Sequence, residues 1–393
     1  MKNLKIILIL GALTTISPFS IDMYLPAFQM IAREFGTTTP RVSLSLSSYF
    51  IGLALGQLFY GPFLDRFGRK PPVYFGLIIY IAASFACLLS QSIEGLIAFR
   101  FFQALGGCAA QVASIAMVRD FFEEKESARV FSRLMLILSV SPLFAPTVGG
   151  LIAATWGWKA VFGTLAAIVV AIFLAVFFFL PEGHKADPTI SLKPQNIAVE
   201  FFAILRNSRF LAYALSGAFS FAGLFAYLGG APSIFMGTFH LTTKEFGAVF
   251  ALLSIGMVGG AQFNIWLSRL FTIEKIFKSA LAIQTVVGFF FLMGTILNWY
   301  GLLGYIFIFY LYISCIGLTY PNAATLALSP FSKNRGSASA LLGFLQMGIG
   351  ALASAAFGVL KFPPAISLGI LFLVAATLGL SNFLYLQGKR ARP

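Results

Sequence analysis

The chain has 393 residues, 59% of them hydrophobic and only 10% charged, with 45 Phe. A water-soluble fold of this length would lack the polar side chains to cover its surface, so lipid must solvate most of it. The net charge of +14 would suit a nucleic-acid partner, but the basic residues sit in short loops between apolar runs, which excludes one.

Several apolar stretches run past about 18 residues, and about 20 residues at 1.5 Å rise cross the roughly 30 Å hydrocarbon layer. Long continuous runs predict helices, whereas a barrel would show short alternating segments. In chain order, spans one to six are predicted over 6–27, 43–64, 72–91, 95–118, 132–154 and 160–181. Spans seven to twelve follow over 209–230, 245–268, 275–297, 301–328, 336–359 and 366–387. Lys2 and Lys5 before an apolar run have the outline of a signal peptide, but no small-residue cleavage site follows and the run continues into Asp22; it reads as span one.

Residues 182–208 break the rhythm of short loops with Glu182, Lys185, Asp187, Pro188 and Lys193. They read as a linker whose last part, 197–205, is predicted as an amphipathic surface helix anchored by Phe201 and Phe202. The fold expected is therefore an all-α membrane protein of twelve transmembrane helices. It divides into a six-helix bundle over 1–181, a linker over 182–208 and a second bundle over 209–393.

Of the 27 Lys and Arg residues, 21 fall in loops, termini or span ends on one side, five on the other, and Arg100 alone lies deep within a span. This asymmetry is the positive-inside signature, so both termini and the linker are expected in the cytosol. Cys87, Cys108 and Cys315 all fall in predicted spans and read as packing residues, and no metal or cofactor site is expected. The only histidines, His184 and His240, lie near span ends, and neither a paired-Asp motif nor His-Glu-x-x-His occurs, so an enzyme is not expected.

Asp22 and Arg100 are the only ionisable side chains well inside the spans. Each costs on the order of 2.5–3.5 kcal/mol there, which makes them functional candidates. Asp22 lies roughly 24 Å up span one and Arg100 roughly 8 Å below the outer end of span four, so the two can meet in the outer third of the membrane. A fixed ion pair that only locks two helices would have the same spacing. Arg100, Gln103, Gly107, Gln111 and Ser114 share an arc of about 80° on span four, and Gly11, Thr15, Pro18 and Asp22 share a face of span one. Such polar stripes suit a water-filled cavity, or merely glue helices together. Tyr24, Gln103, Gln111, Tyr227 and Gln346 are the candidate groups for a substrate cavity.

Between spans two and three stands Gly61-Pro62-Phe63-Leu64-Asp65-Arg66-Phe67-Gly68-Arg69-Lys70-Pro71. Span five carries Pro142 and Pro146 one turn apart, followed by Gly149 and Gly150, a pattern that predicts a kinked helix with a flat face. The 61–71 loop resembles the loop signature of the major facilitator superfamily. Arg100-Phe101-Phe102-Gln103-Ala104-Leu105-Gly106 is similar to its fourth-span motif, and Pro142 to Gly150 resembles its fifth-span antiporter motif. Asp22-Met23-Tyr24-Leu25-Pro26 resembles the first-span motif of twelve-span drug:proton antiporters, most like the bicyclomycin-resistance (Bcr/CflA) group. Ala145-Pro146 where many antiporters have Gly-Pro, and Ala104 where Gly is usual, depart from these patterns.

The resemblance implies a monomeric, multi-pass protein of the bacterial inner membrane that exports small hydrophobic or amphipathic compounds in exchange for protons, by alternating access. Its alternatives are proton-coupled uptake or export of a specific metabolite and, remotely, a membrane-embedded enzyme. It implies that Asp22 is the coupling carboxylate and that Arg100 tunes it. Asp65, Arg66, Arg69 and Asp120 would form a cytoplasmic gate network, and Pro142, Pro146, Gly149 and Gly150 the bending elements.

Overall fold

Residues 2–184, 186–189, 192–331 and 335–390 are described by the computed structural model. Lys185, Lys333 and Arg392, three of the basic residues in the charge count, lie outside them. Helix is the only regular structure among the described residues, and twelve helices are long and apolar enough to cross a membrane. Their lipid-facing surfaces carry side chains such as Phe75, Phe178 and Leu303, all exposed; in water this surface would drive aggregation, and in a bilayer it is the solvated face.

Spans two to six are the helices Thr39–Phe67, Lys70–Leu88, Ile93–Phe121, Glu124–Trp156 and Trp158–Phe179. Spans eight to twelve are Thr243–Leu267, Ile273–Ile296, Leu302–Leu328, Arg335–Val359 and Pro364–Arg390. Side chains start many of them: Thr38 accepts from the Arg41 N–H, Ser92 from Gly95, Asn207 from Phe210, and Thr242 forms a reciprocal capping box with Glu245. These caps satisfy N–H groups that lipid cannot. The amphipathic helix of the linker runs Pro194–Leu205, three residues longer at its start than the sequence indicates.

Two spans are not continuous. Span one is an α-helix Lys2–Asp22, a 3-10 turn Leu25–Ala27 and a second helix Phe28–Glu34. Span seven runs as α-helix Ser208–Ala231 and finishes as a π-helical turn, Pro232–Thr238. Each irregular piece contains a proline near its start, Pro26 or Pro232, whose missing N–H releases a carbonyl one turn earlier. The second helix of span one, Phe28–Glu34, packs against the π-helical turn of span seven.

They meet at the end of the molecule opposite the 61–71 loop, and there the halves of the chain are sealed together. Ser47 of span two donates to Ser354 of span eleven at 2.9 Å. A Cβ on Gly358 of span eleven would stand 2.8 Å from the Pro40 carbonyl, and one on Gly150 of span five 1.9 Å from the Thr243 methyl of span eight. At the loop end the halves part around a cavity of about 710 Å³.

Candidate functional site

The helical ladder of span one stops at the bond from Met23 N–H to the Phe19 carbonyl, 3.1 Å. Among the described residues no backbone N–H reaches the next carbonyl, that of Ser20. Arg100 takes it instead, with Nη2 at 3.0 Å, while Nη1 donates to Gln103 Oε1 at 2.6 Å. A guanidinium at a helix C-terminus also meets the negative end of the helix dipole. Arg100 is completely buried, and its guanidinium carbon stands 4.6 Å from the Tyr24 ring centroid and 4.2 Å from that of Tyr49. Cation–π attraction in a desolvated site adds about 2 kcal/mol.

The shell around Arg100 is itself fixed. Gln103 Nε2 donates to Ser84 Oγ at 2.8 Å, and Tyr24 shares a hydrogen bond with Ser45 at 2.8 Å. Ser20 Oγ bonds the Tyr80 hydroxyl and the Ile16 carbonyl. Asp22 is not part of this shell. The expected Asp22–Arg100 ion pair is absent: Arg100 is committed to the released carbonyl and the two rings, and Asp22 makes no ion pair or hydrogen bond among the described residues. The Asp22 carboxyl is buried, 5% exposed, at the last residue before the break. The 3-10 turn that follows it packs against span eight, so the break lies where the two halves meet.

Span five supports the break from behind. A Cβ on Gly149 would lie 2.1 Å from the Met23 carbonyl oxygen, so only glycine lets the helix approach this closely. Pro142 and Pro146 sit inside one unbroken helix, Glu124–Trp156. The described role of Gly149 and Gly150 is thus close contact, with span one and with span eight. Gly149→Ala should cost about 1–3 kcal/mol by overpacking, measured as a lower midpoint of thermal unfolding in detergent; an unchanged midpoint would mean that the Met23 turn gives way freely.

At the loop end Arg69 joins the two acids that the superfamily resemblance implies for it. Arg69 is buried, with Nη1 2.6 Å from Asp65 Oδ1 and Nε 2.7 Å from Asp120 Oδ2. Burial works against its charge, but the hydrogen bonds to Asp120 and Asp65 outweigh it and push the guanidinium's pKa further up. Arg66 lies over the Phe67 ring, 5.9 Å from its centroid. Gly68 turns the chain at φ +83°. Glu182, which the sequence places only in the linker, accepts from the backbone N–H of Arg69 at 2.6 Å and of Lys70 at 3.2 Å, capping the start of span three. Its only signal was its position just past span six, on the same side as the loop.

The cavity is lined by Gln57, Asp65, Gln111 and Asp120 from the first half, by Glu200 of the linker helix and by Ser337 of span eleven. Of the five candidate cavity groups, Gln111 alone lines it. Tyr24 and Gln103 are taken up around Arg100, and Tyr227 and Gln346 are buried.

Known proteins resemble the chain over nearly all its length. It is 30% identical over 382 residues to a bicyclomycin resistance protein homolog of Haemophilus influenzae, covering 96% of this chain and 94% of that protein. It is 30% identical over 338 residues to the multidrug resistance protein MdtL of Escherichia coli, covering 86% and 84%. The crystal structure of a D-xylose-proton symporter superposes with a TM-score of 0.78 at 14% identity, over 98% of this chain and 97% of that one; at that identity the likeness is one of fold. Residues 10–355 match the family model of the Major Facilitator Superfamily. With the twelve spans, the loop signature and the relatives in agreement, the chain belongs to the Major Facilitator Superfamily.

Proposed function

We propose that the chain is a monomeric, proton-coupled exporter of small hydrophobic or amphipathic compounds in the bacterial inner membrane. The observation that carries this reading is the buried carboxyl of Asp22, without a cation partner among the described residues, at a break in span one whose following turn packs on span eight of the other half. Such a group is tolerable there when neutral and expensive when charged. Its protonation therefore bears on whether the halves stay together. Relatives named for bicyclomycin and multidrug resistance support export, and the basic loops support a cytosolic loop end. The cavity then opens toward the cytosol.

In this reading the substrate enters from the loop end past Gln111, while Asp22 releases its proton on that side. Outward turnover follows, and a proton from outside resets the carrier. Each proton returning through a potential of 100 mV supplies about 2.3 kcal/mol, more than a tenfold gradient requires. The Asp65–Arg69–Asp120 network is complete while the loop end is open, so it braces the first bundle and meets the start of span eleven only on closure.

The test is proton movement in everted, respiring vesicles that contain the protein. Adding bicyclomycin or lipophilic dyes is expected to release protons from the acidified interior, seen as recovery of a quenched pH-sensitive fluorophore. Quenching that deepens on addition of a metabolite, with no response to these compounds, would favour proton-coupled uptake and overturn export.

A further inference from the structure

The first bundle carries a second hollow, between spans one and six, that shares no lining residue with the loop-end cavity. It has a volume of about 460 Å³ and opens sideways past Leu8 and Ile168, both exposed on the lipid face. Its walls reach inward to buried Ile16 and Val169, and its floor is the ring of Tyr80 from span three. The polar groups of this lining are already used: Thr15 Oγ1 donates to the Ala12 carbonyl at 2.9 Å, and the Tyr80 hydroxyl bonds Ser20. Such a hollow offers nothing to water, and unfilled it would forfeit dispersion contacts all around its walls. Along span one it runs from Leu8 to Phe19, roughly 16 Å at 1.5 Å per residue and about half of the roughly 30 Å hydrocarbon layer. That is the reach of one acyl chain in one leaflet.

The mouth of the hollow is charged. Lys5, exposed one turn below Leu8, holds its Nζ 5.8 Å from the ring centroid of Phe179, which lies one turn beyond Ala175 of span six. The ammonium thus spans the two helices that form the walls. It makes no ion pair or hydrogen bond among the described residues. Glu182, the acid next in sequence after span six, is bound to the Arg69 and Lys70 N–H groups, and Lys70 Nζ donates to the Leu180 carbonyl at 2.7 Å. These contacts place the mouth at the 61–71 loop end, at the level of that leaflet's headgroups.

We propose that the hollow between spans one and six binds one anionic phospholipid of the leaflet at the loop end, with an acyl chain along Tyr80 and the phosphate on Lys5. An anionic headgroup answers the unpaired ammonium, whereas a zwitterionic one brings its own cation to the same place. The bound chain braces span one from the lipid side, below its break, because Tyr80 holds Ser20, whose carbonyl receives Arg100. The site is independent of what the protein transports and in which direction.

The test uses full-length protein in phosphatidylcholine nanodiscs doped with phosphatidylglycerol that carries a photoactivatable diazirine in one acyl chain. Adducts are mapped by peptide mass spectrometry after irradiation. They are expected within 8–19 and 165–175, and a phosphatidylcholine probe of the same chain length should label these peptides about fivefold less. Lys5→Gln should lower labelling by the anionic probe about fivefold, the effect of one basic residue at a lipid surface, and Lys5→Arg should restore it. Ala12→Phe, which narrows the hollow and leaves Lys5 in place, should lower labelling by both probes. Labelling at Phe289, exposed to lipid on span nine, should be the same in every variant and with either probe, which certifies fold and incorporation. Equal labelling of the hollow by the two probes, or parental labelling in Lys5→Gln, would reduce it to ordinary lipid contact and overturn the site. Displacement of the anionic probe by lipophilic dyes, with no displacement by unlabelled phosphatidylglycerol, would give the hollow to a transport substrate and overturn it equally.

Discussion

Asp22→Asn is expected to abolish uphill, pH-driven export while the protein still inserts and still binds substrate. Asn keeps nearly the shape of the protonated acid and cannot titrate, so it separates coupling from packing. The native site already holds Asp22 without a cation. A neutral amide is cheaper to bury than a carboxylate and leaves no orphaned positive charge behind. Stability in detergent should therefore equal or exceed that of the parent. Counterflow, which needs no net proton movement, should survive where uphill export falls to background. Substrate binding should also lose whatever pH dependence the parent shows. Uphill export at the parental rate with an unaltered pH profile would send the proton by another route.

How much of this was visible beforehand differs by element. The twelve spans were legible because lipid demands long apolar helices, and the sequence has few other ways to satisfy its backbone. The apolar run of span one reads to residue 27, yet beyond the break a second helix runs to Glu34. Its break, and the π-helical end of span seven, escaped because hydrophobic periodicity averages over a turn; Pro26 and Pro232 were the available signals. The triangle of Asp65, Arg69 and Asp120 is the one that the superfamily resemblance implies. The pairing of Asp22 with Arg100 is not formed. Depth along two antiparallel helices was a sound argument for proximity, but it says nothing of azimuth or of the carbonyl that a broken helix releases. Tyr24 and Tyr49 fill the space beside Arg100, and the residue type alone carries no mark of that role. Asp22 makes no ion pair or hydrogen bond among the described residues, and Tyr227, which the sequence suggests for a substrate cavity, is buried.

Arg100 variants should then separate from Asp22 variants in a way an ion pair would forbid. Arg100→Gln strands the Ser20 carbonyl and breaks the contact to Gln103, each acceptor costing about 1–3 kcal/mol, although the desolvation cost of a buried guanidinium is relieved at the same time. Arg100→Lys retains a charge but cannot reach two acceptors while lying flat between two rings, so it should rescue little. Both variants are expected to lower the thermal midpoint and to reduce transport at least tenfold, because the break in span one loses its cap and the Asp22 carboxyl its fixed position. The pH at which residual transport is half-maximal should stay where it is in the parent. Since Asp22 and Arg100 share no contact here, the stability effects of Asp22→Asn and Arg100→Gln should add to within about 0.5 kcal/mol. A double variant more stable than that sum, together with a displaced pH midpoint in Arg100→Gln alone, would show that the two charges do pair during the cycle and that Arg100 tunes the acid directly instead of holding the helix that carries it.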